Sequence, residues 1–428
     1  MEQSDLIRKG LGLTIEIPFS LRYNNTISIE STPFCEVSLD TAKLKSQVVG
    51  EIDTRCQQII SLSLKIHSKP ELAFHEVKAA EWLTGYLEDN GFAVERGICE
   101  LPTAFRASYG SGQPVIAILA EYDALPKVGH ACGHNLIAAC AAGAGVASKL
   151  AVDRFGGSVV VIGTPGEELY GGKAIMVERG AFDGVDIAMI MHPGVVDVAV
   201  TRSLACQTLD VEFIGRSAHA AAQPEAGINA LEAMIQSFTA INSLRQHIKD
   251  SARIHGIITD GGEAPNIVPA HSAGTFIVRA EENDYLDELK EKVINCFTGA
   301  AKASGAKLKY KWGEVRYASM RNNMTLAETF GYNMQTLGRM MLLVNPGRSS
   351  GSTDMGNVSH QVPSIHPYVA IALSDILIHS SQFALAAVSD EGIKGLLDAA
   401  KAMAMTVVDL LANPKTVTRI KEEFGTGE

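Results

Sequence analysis

Glu121-Tyr-Asp-Ala-Leu-Pro126 is followed at once by Gly129-His-Ala-Cys-Gly-His-Asn135, so two carboxylates, two histidines and a cysteine crowd into one short loop region. The run before it, Val115-Ile-Ala-Ile-Leu-Ala120, is continuously apolar and reads as a buried strand. The run after it, Leu136 to Leu150, is rich in Ala and Leu and reads as a buried helix with Asn135 as its N-cap. Reactive side chains between a strand end and a helix start lie where open α/β sheets bind ligands. This stretch therefore sets the fold class as α/β, with a central, mostly parallel sheet carrying the site at one edge.

The same pattern recurs further along the chain. Ser158-Val-Val-Val-Ile-Gly163 is a β-branched run that ends in Thr164-Pro-Gly-Glu-Glu168, and Val185-Asp-Ile-Ala-Met-Ile-Met191 ends in His192-Pro-Gly. Three apolar strands thus each lead to a candidate metal ligand or base, and strand ends on one sheet edge can meet in space. Upstream, residues 41–67 and 76–90 have helical periodicity, and Phe92 to Glu95 and Thr103 to Tyr109 read as strands.

From residue 205 the texture changes. Leu209-Asp-Val-Glu-Phe-Ile214 alternates apolar and polar, as a half-exposed strand does. A helix over 227–247, strands over 253–259 and 271–279, a helix over 284–304 and a strand over 307–317 complete the order β-α-β-β-α-β of a ferredoxin-like unit. In the first of these helices, Leu231, Ile235, Phe238, Ile241 and Leu244 form the apolar stripe. The expected organisation is an N-terminal extension (1–40), a first catalytic part (41–204), an inserted domain (205–320) and a second catalytic part (321–428).

A borderline-soft divalent metal takes Cys sulfur, His nitrogen and carboxylate oxygen, and a catalytic site keeps one position open for water. Cys132, His134, Glu168, His192 and His379 supply that set, more ligands than one tetrahedral ion needs. Two ions sharing the Cys132 thiolate use all five. Glu167, next to a ligand carboxylate, is the candidate base, and Asp123 the candidate acceptor that fixes the tautomer of a ligand imidazole. A lone cysteine is more often a core thiol than a ligand, the reading given to Cys35, Cys56, Cys99, Cys140, Cys206 and Cys296. Cys132 and His134 differ because they stand beside His130 and Asp123. His366, close to Pro363 and Pro367, is read as lining the substrate pocket.

Composition narrows the partners. The chain has 428 residues, 46% apolar and 20% charged, and a formal net charge of −11, which argues against nucleic acid or an anionic membrane as its main partner. Its 7 cysteines are odd in number and scattered without CxxC pairs, as in a reducing compartment. The polar start Met1-Glu-Gln-Ser-Asp lacks the order of a signal peptide, and no uninterrupted apolar run is long enough to span a bilayer, so a cytoplasmic location is expected.

Taken together, the motifs resemble the M20 metallopeptidases, and within them the amidohydrolase/carboxypeptidase branch. The likeness rests on Ile66-His-Ser-Lys-Pro-Glu-Leu72, the two stretches quoted first, Gly163-Thr-Pro-Gly-Glu-Glu168, His192-Pro-Gly194, Gly215-Arg-Ser-Ala-His-Ala220 and Gly351-Ser-Thr-Asp-Met-Gly-Asn-Val-Ser359, and runs from about residue 45 to 410. It is nearest to the M20 domain-containing protein 2 (aminoacylase-1-like) group and then to the p-aminobenzoyl-glutamate hydrolases. The resemblance implies zinc, with manganese or cobalt as substitutes, one or two ions in each protomer, held by the five residues above with Glu167 as general base. It also implies that the inserted domain is a lid and dimerisation module of a homodimer. His219 would stabilise the oxyanion, across the dimer, while Asn266 and Arg279 would hold the substrate's carboxylate. Tyr170 replaces a glycine common in that loop, where a phenol narrows the pocket or stacks on an aromatic substrate.

The expected activity is cleavage of the amide bond in a small dipeptide or N-acyl amino acid by metal-activated water. Three rival readings use the same residues. One is a cysteine hydrolase with Cys132 as nucleophile and His134 or His192 as base, another a non-catalytic metal-binding dimer, and the third an amide-forming enzyme of a biosynthetic pathway.

Overall fold

The structure is a computed structural model that describes residues 39–344 and 351–426. The N-terminal extension lies, apart from its last two residues, outside the described residues, as does Cys35.

Two helices, α1 (Leu39–Ser68) and α2 (Val77–Asp89), lead into the strands β1 (Ala93–Arg96), β2 (Phe105–Gly110) and β3 (Val115–Ala120). The long helix α3 (His134–Phe155) crosses to β4 (Ser158–Gly163), and the short helices α4 (Glu167–Tyr170) and α5 (Gly172–Glu178) precede β5 (Ile187–Met189). Short strands β6 (His192–Gly194) and β7 (Val198–Val200) end this part. The segment that follows holds β8 (Ala205–Ile214), α6 (Ala230–Leu244), β9 (Arg253–Asp260), β10 (His271–Ala280), α7 (Asn283–Ser304) and β11 (Lys307–Tyr317). The chain returns with α8 (Met324–Thr336), β12 (Leu342–Val344), α9 (Met355–Gln361), β13 (Ser364–Ile365) and β14 (Tyr368–Ala370), then α10 (Ser381–Ala386), α11 (Asp390–Ala412) and α12 (Pro414–Thr426).

The central sheet has the order β1-β2-β4-β3-β5-β13. Its β4, β3, β5 and β13 run parallel, and β1 and β2 form an antiparallel edge. Because side chains alternate along a strand, β3 sends Ile116 and Ile118 into one core and Ala117 and Leu119 into another. The first core is shared with α1, α3 and α11, the second with α5 and α9. Burial on both faces is why β3 and β4 read as unbroken apolar runs rather than alternating ones.

The α3 helix sits in the middle of the first core, and small residues let it approach closely. A Cβ on Gly145 would lie 2.4 Å from Val161 Cγ2, and one on Gly143 2.7 Å from Ile59 Cδ1. By length and composition α3 could cross a membrane, contrary to the reading of the sequence, but 89% of its most apolar stretch is buried inside this protein. Its cap also differs from expectation. The helix starts at His134 after Gly133, whose φ of 79° is left-handed, and Asn135 lies within the first turn. The Asn135 amide instead donates to Ser63 Oγ at 2.9 Å and to the Ala387 carbonyl at 3.3 Å, tying α3 to its neighbours.

Residues 205–317 build their own antiparallel sheet, order β11-β8-β10-β9, with α6 and α7 over one face. The β8 strand alternates as expected, with Leu209, Val211 and Phe213 buried under the helices. The opposite face, with Cys206, Thr208 and Asp210, turns toward the catalytic part. On α6 the buried face is Ala230, Ala233, Met234, Ser237 and Ile241, while Ile235 is exposed, so the stripe chosen by residue size is partly displaced. A third sheet, β12-β7-β14-β6, was not foreseen, because strands of three residues are too short to show a period.

Candidate active site

The loop between β3 and α3 carries Asp123, Cys132 and His134, and the turn geometry makes room for them. A side chain on Gly133 would strike Pro193, its Cβ standing 2.5 Å from Pro193 Cγ, so glycine lets the loop meet the start of β6. Asp123 does two jobs. Its Oδ1 accepts from His134 Nδ1 at 2.9 Å, and its Oδ2 accepts from the Glu168 backbone N–H at 3.0 Å. The first bond leaves Nε2 as the free nitrogen of His134, the arrangement a metal-bound imidazole needs.

His192, at the start of β6, donates from Nδ1 to the Pro193 carbonyl at 2.7 Å and turns Nε2 to Cys132 Sγ at 3.4 Å. His379 reaches the same sulfur at 3.3 Å and Glu168 Oε1 at 3.4 Å. The His379 backbone is left-handed (φ 69°), a conformation that costs a non-glycine residue on the order of 1 kcal/mol or more, and its N–H is anchored on the Ala131 carbonyl at 2.9 Å. Glu167 and Glu168 open α4 after Gly166, also left-handed, where an added Cβ would lie 2.8 Å from the Phe74 ring.

Donor atoms therefore face one another in two triplets that share a thiol, Cys132/His134/His192 and Cys132/Glu168/His379. Donors held tetrahedrally at roughly 2.0–2.3 Å from an ion stand about 3.3–3.8 Å apart. The contacts of 3.3 and 3.4 Å within these triplets fall in that range. His134 Nε2 is buried without a hydrogen-bond partner, an orphan that a cation would satisfy. The residues fit a divalent ion, and the shared sulfur fits two.

The electrostatics are those of a buried site crowded with acidic groups. Burial lowers the proton affinity of His192, to a pKa of about 4, which leaves the neutral imidazole a ligand requires. Burial acts on His134 in the same sense, yet Asp123 and Cys132 pull its pKa well above the usual value, a sign of surplus negative charge around it. Burial and then the Glu168 carboxylate push the Cys132 thiol up. Burial raises Glu167 far above the carboxylate range, with Glu121 and Asp354 adding to it. Burial opposes ionisation of Glu121, but Lys173 and then His134 hold its pKa down at about 2.

The remaining sequence-derived residues divide into two groups. Arg279 lines a cleft of about 560 Å³ between the two sheets together with Glu168, Tyr170, Trp312 and Tyr317, and its Nη1 donates to Ser352 Oγ at 2.6 Å. Tyr170 stacks on Phe74, ring centroids 5.4 Å apart, so one face of the phenol is already covered. His366 is fully buried and edge-on to the His192 ring at 5.3 Å. His219 and Asn266 are exposed on two adjoining loops of the inserted domain, joined by an isolated bridge between His219 and Ile267 and by the Ala220 N–H donating to the Asn266 carbonyl. Among the described residues, neither bonds to a member of the cluster, and His219 Nδ1 accepts from Ala222 N–H at 3.1 Å within its own loop.

Sequence reasoning assigned no role to Lys173, Glu121, Asp354 or Glu76, all fully buried beside the cluster. Glu121 and Asp354 stand inside motifs already quoted, which was the available signal. Lys173 and Glu76 look like ordinary helix-surface residues in the sequence.

Comparison with known proteins places this geometry in a family. The peptidase dimerisation domain of M20 enzymes matches residues 206–304. The chain is 36% identical over 397 residues to the Xaa-Arg dipeptidase of Mus musculus, covering 89% of this chain and 92% of that protein. It is 38% identical over 271 residues to a polypeptide of the p-aminobenzoyl-glutamate hydrolase of Escherichia coli K12, covering 58% of this chain and 56% of that one. A dinuclear metal-binding peptidase of the M20 family from Bacillus subtilis has the same fold, with a TM-score of 0.67 at 22% identity, covering 84% of this chain and 99% of that one. The chain belongs to the M20 family of metal-dependent peptidases and amidohydrolases. Its cysteine, histidine and glutamate cluster is a candidate divalent-metal site, and the dinuclear neighbour supports metal binding in this fold.

Proposed function

We propose that this protein hydrolyses the amide bond of a small dipeptide or N-acyl amino acid that carries a free carboxylate. Two zinc ions, with manganese as the alternative, would be held by Cys132, His134, Glu168, His192 and His379. Bound there, the metal supplies an acidified water and a Lewis acid for the amide carbonyl. Glu167, beside the donor set, would be the carboxylate that accepts the water's proton and returns it to the leaving amine. The observation that carries this reading is that ligand atoms of Glu167, Glu168 and His134 lie within 4.8 Å of one another, so the proton acceptor stands beside the donor set. Arg279, in the cleft with Glu168, would receive the substrate's carboxylate.

We further assign 205–320 as lid and dimerisation domain on a body made of 41–204 and 321–428, with His219 and Asn266 completing the site of the other protomer. The exposure of both residues supports that assignment. The names of the relatives, an Xaa-Arg dipeptidase and a p-aminobenzoyl-glutamate hydrolase, suggest substrates to try first. The six described cysteines are free thiols, which supports a reducing, cytoplasmic setting. The cysteine-nucleophile reading is disfavoured because Cys132 is 6% exposed, with its sulfur enclosed between His192 and His379 rather than open to a substrate.

The test pairs elemental analysis of purified protein with a Glu167→Gln variant on a panel of dipeptides and N-acyl amino acids. Two equivalents of metal in both proteins, with kcat in the variant reduced on the order of 10²- to 10⁴-fold, are expected. Full turnover in the variant, or a metal-free active enzyme that forms an acyl adduct at Cys132, would overturn the reading.

A further inference from the structure

Lys173 lies in the first turn of α5, and its side chain is completely buried. Its Nζ stands 2.5 Å from Glu121 Oε1 and 2.7 Å from Asp354 Oδ1, and its backbone N–H donates to Asp354 Oδ2 at 2.8 Å. Glu121 and Asp354 are buried too, and an oxygen of each lies within 4.8 Å of an oxygen of Glu167. The second Glu121 oxygen, Oε2, faces His134 Nε2 at 3.5 Å. One ammonium thus joins two carboxylates that touch the surroundings of the metal centre on one side and of Glu167 on the other.

Stability is a poor reason for this arrangement. A cation in the first turn of a helix opposes the helix dipole. Buried ion clusters are commonly matched or bettered by apolar side chains of the same volume. Three carboxylates this close repel one another, and without a counter-charge they would separate or take up protons. The cluster makes sense if the carboxylates have to stay where they are.

We propose that Lys173 is a positioning residue for the hydrolysis, a tethered cation that clamps Glu121 and Asp354 into a fixed wall and so keeps the Glu167 carboxylate in register with the metal centre. The inference rests on the reading of Glu167 as the proton acceptor. Lys173 touches neither substrate nor metal ligand in this reading, so its loss should spare binding and damage the chemical step.

The decisive experiment is steady-state kinetics and metal analysis of Lys173→Met, Lys173→Arg and the double variant Lys173→Met/Glu121→Gln, with Glu167→Gln alongside. Lys173→Met is expected to keep its metal and a KM within about twofold of the parent while kcat falls on the order of 10- to 100-fold. Lys173→Arg, which keeps the charge, should regain part of that loss. The double variant removes one charge of each sign and should melt closer to the parent, yet keep the low kcat; it carries the test if the single variant does not fold. Parental kcat in either Lys173→Met or the double variant would overturn the proposal, because a merely structural clamp is repaired once the charges are balanced. If Glu167→Gln retains turnover, the reading of Glu167 falls whatever Lys173 does. If Glu167→Gln is inactive while Lys173→Met keeps its kcat, only the inference about Lys173 fails.

Discussion

Glu76 accepts from the Gly166 N–H at 2.9 Å and from the Thr103 hydroxyl at 3.0 Å, and so pins the loop that presents Glu167 and Glu168. Burial first, and the nearby Asp123 second, raise its pKa from 4.5 to about 7. A carboxyl that holds its proton more tightly when folded contributes stability that is fully present below the unfolded pKa and is lost as pH rises through the folded one. Between about pH 4.5 and 7 this one group should therefore cost the protein on the order of 3 kcal/mol. Glu76→Gln keeps an acceptor and cannot ionise. Its stability relative to the parent should rise by that order from pH 5 to pH 7.5, read from urea midpoints at constant metal. Parallel pH curves for the two proteins would show that Glu76 does not titrate in this window. No sequence motif marks this residue, because its environment comes from three separate loops.

Among the elements, α3 shows how the same substitution changes sign with packing. Gly50, in the exposed part of α1, has nothing within 4 Å of the place a Cβ would take, so Gly50→Ala should stabilise by up to about 1 kcal/mol through helix propensity. Gly145 has the same helical preference, but its Cβ would press on Val161 at 2.4 Å, and overpacking costs typically about 1–3 kcal/mol. Gly145→Ala should therefore destabilise, and denaturant midpoints of the two variants should move in opposite directions. Both glycines sit in helices that were legible from periodicity. Which one touches the sheet was not, since that depends on how α3 rotates against β4. The displaced stripe of α6 has the same origin: close packing favours small residues such as Ala230 and Ala233 over the larger Ile235.

At the scale of the whole molecule, the proposed metal centre is where distant parts of the chain come together. Cys132 follows β3, His192 opens β6, and His379 arrives from beyond the inserted domain, 247 residues after Cys132. A ligand that binds only the folded state stabilises it by mass action, about 2.7 kcal/mol at a free concentration 100 times its Kd. Removing the metal with a chelator should lower the melting temperature by several degrees and re-addition should restore it. A stripped protein that melts at the same temperature would contradict the assignment of these five residues as ligands.

The α/β class, the run of helices and strands, and the residue types of the proposed metal site were all legible in the amino-acid sequence. Periodicity records which face of an element is buried, and the thiol, imidazole and carboxylate groups carry their chemistry wherever they are. Motif likeness added Arg279, which the structure brings to the cleft beside Glu168. It took the folded chain to establish that Cys132 stands between His192 and His379, that Gly133 rather than Asn135 turns the chain into α3, and that Lys173 is enclosed with Glu121 and Asp354 instead of facing water. The first and last of these are distances between residues remote in sequence, and the close approach of Pro193 to Gly133 is another. They are set by how the elements pack, and a pattern confined to neighbouring positions along the chain carries no measure of them.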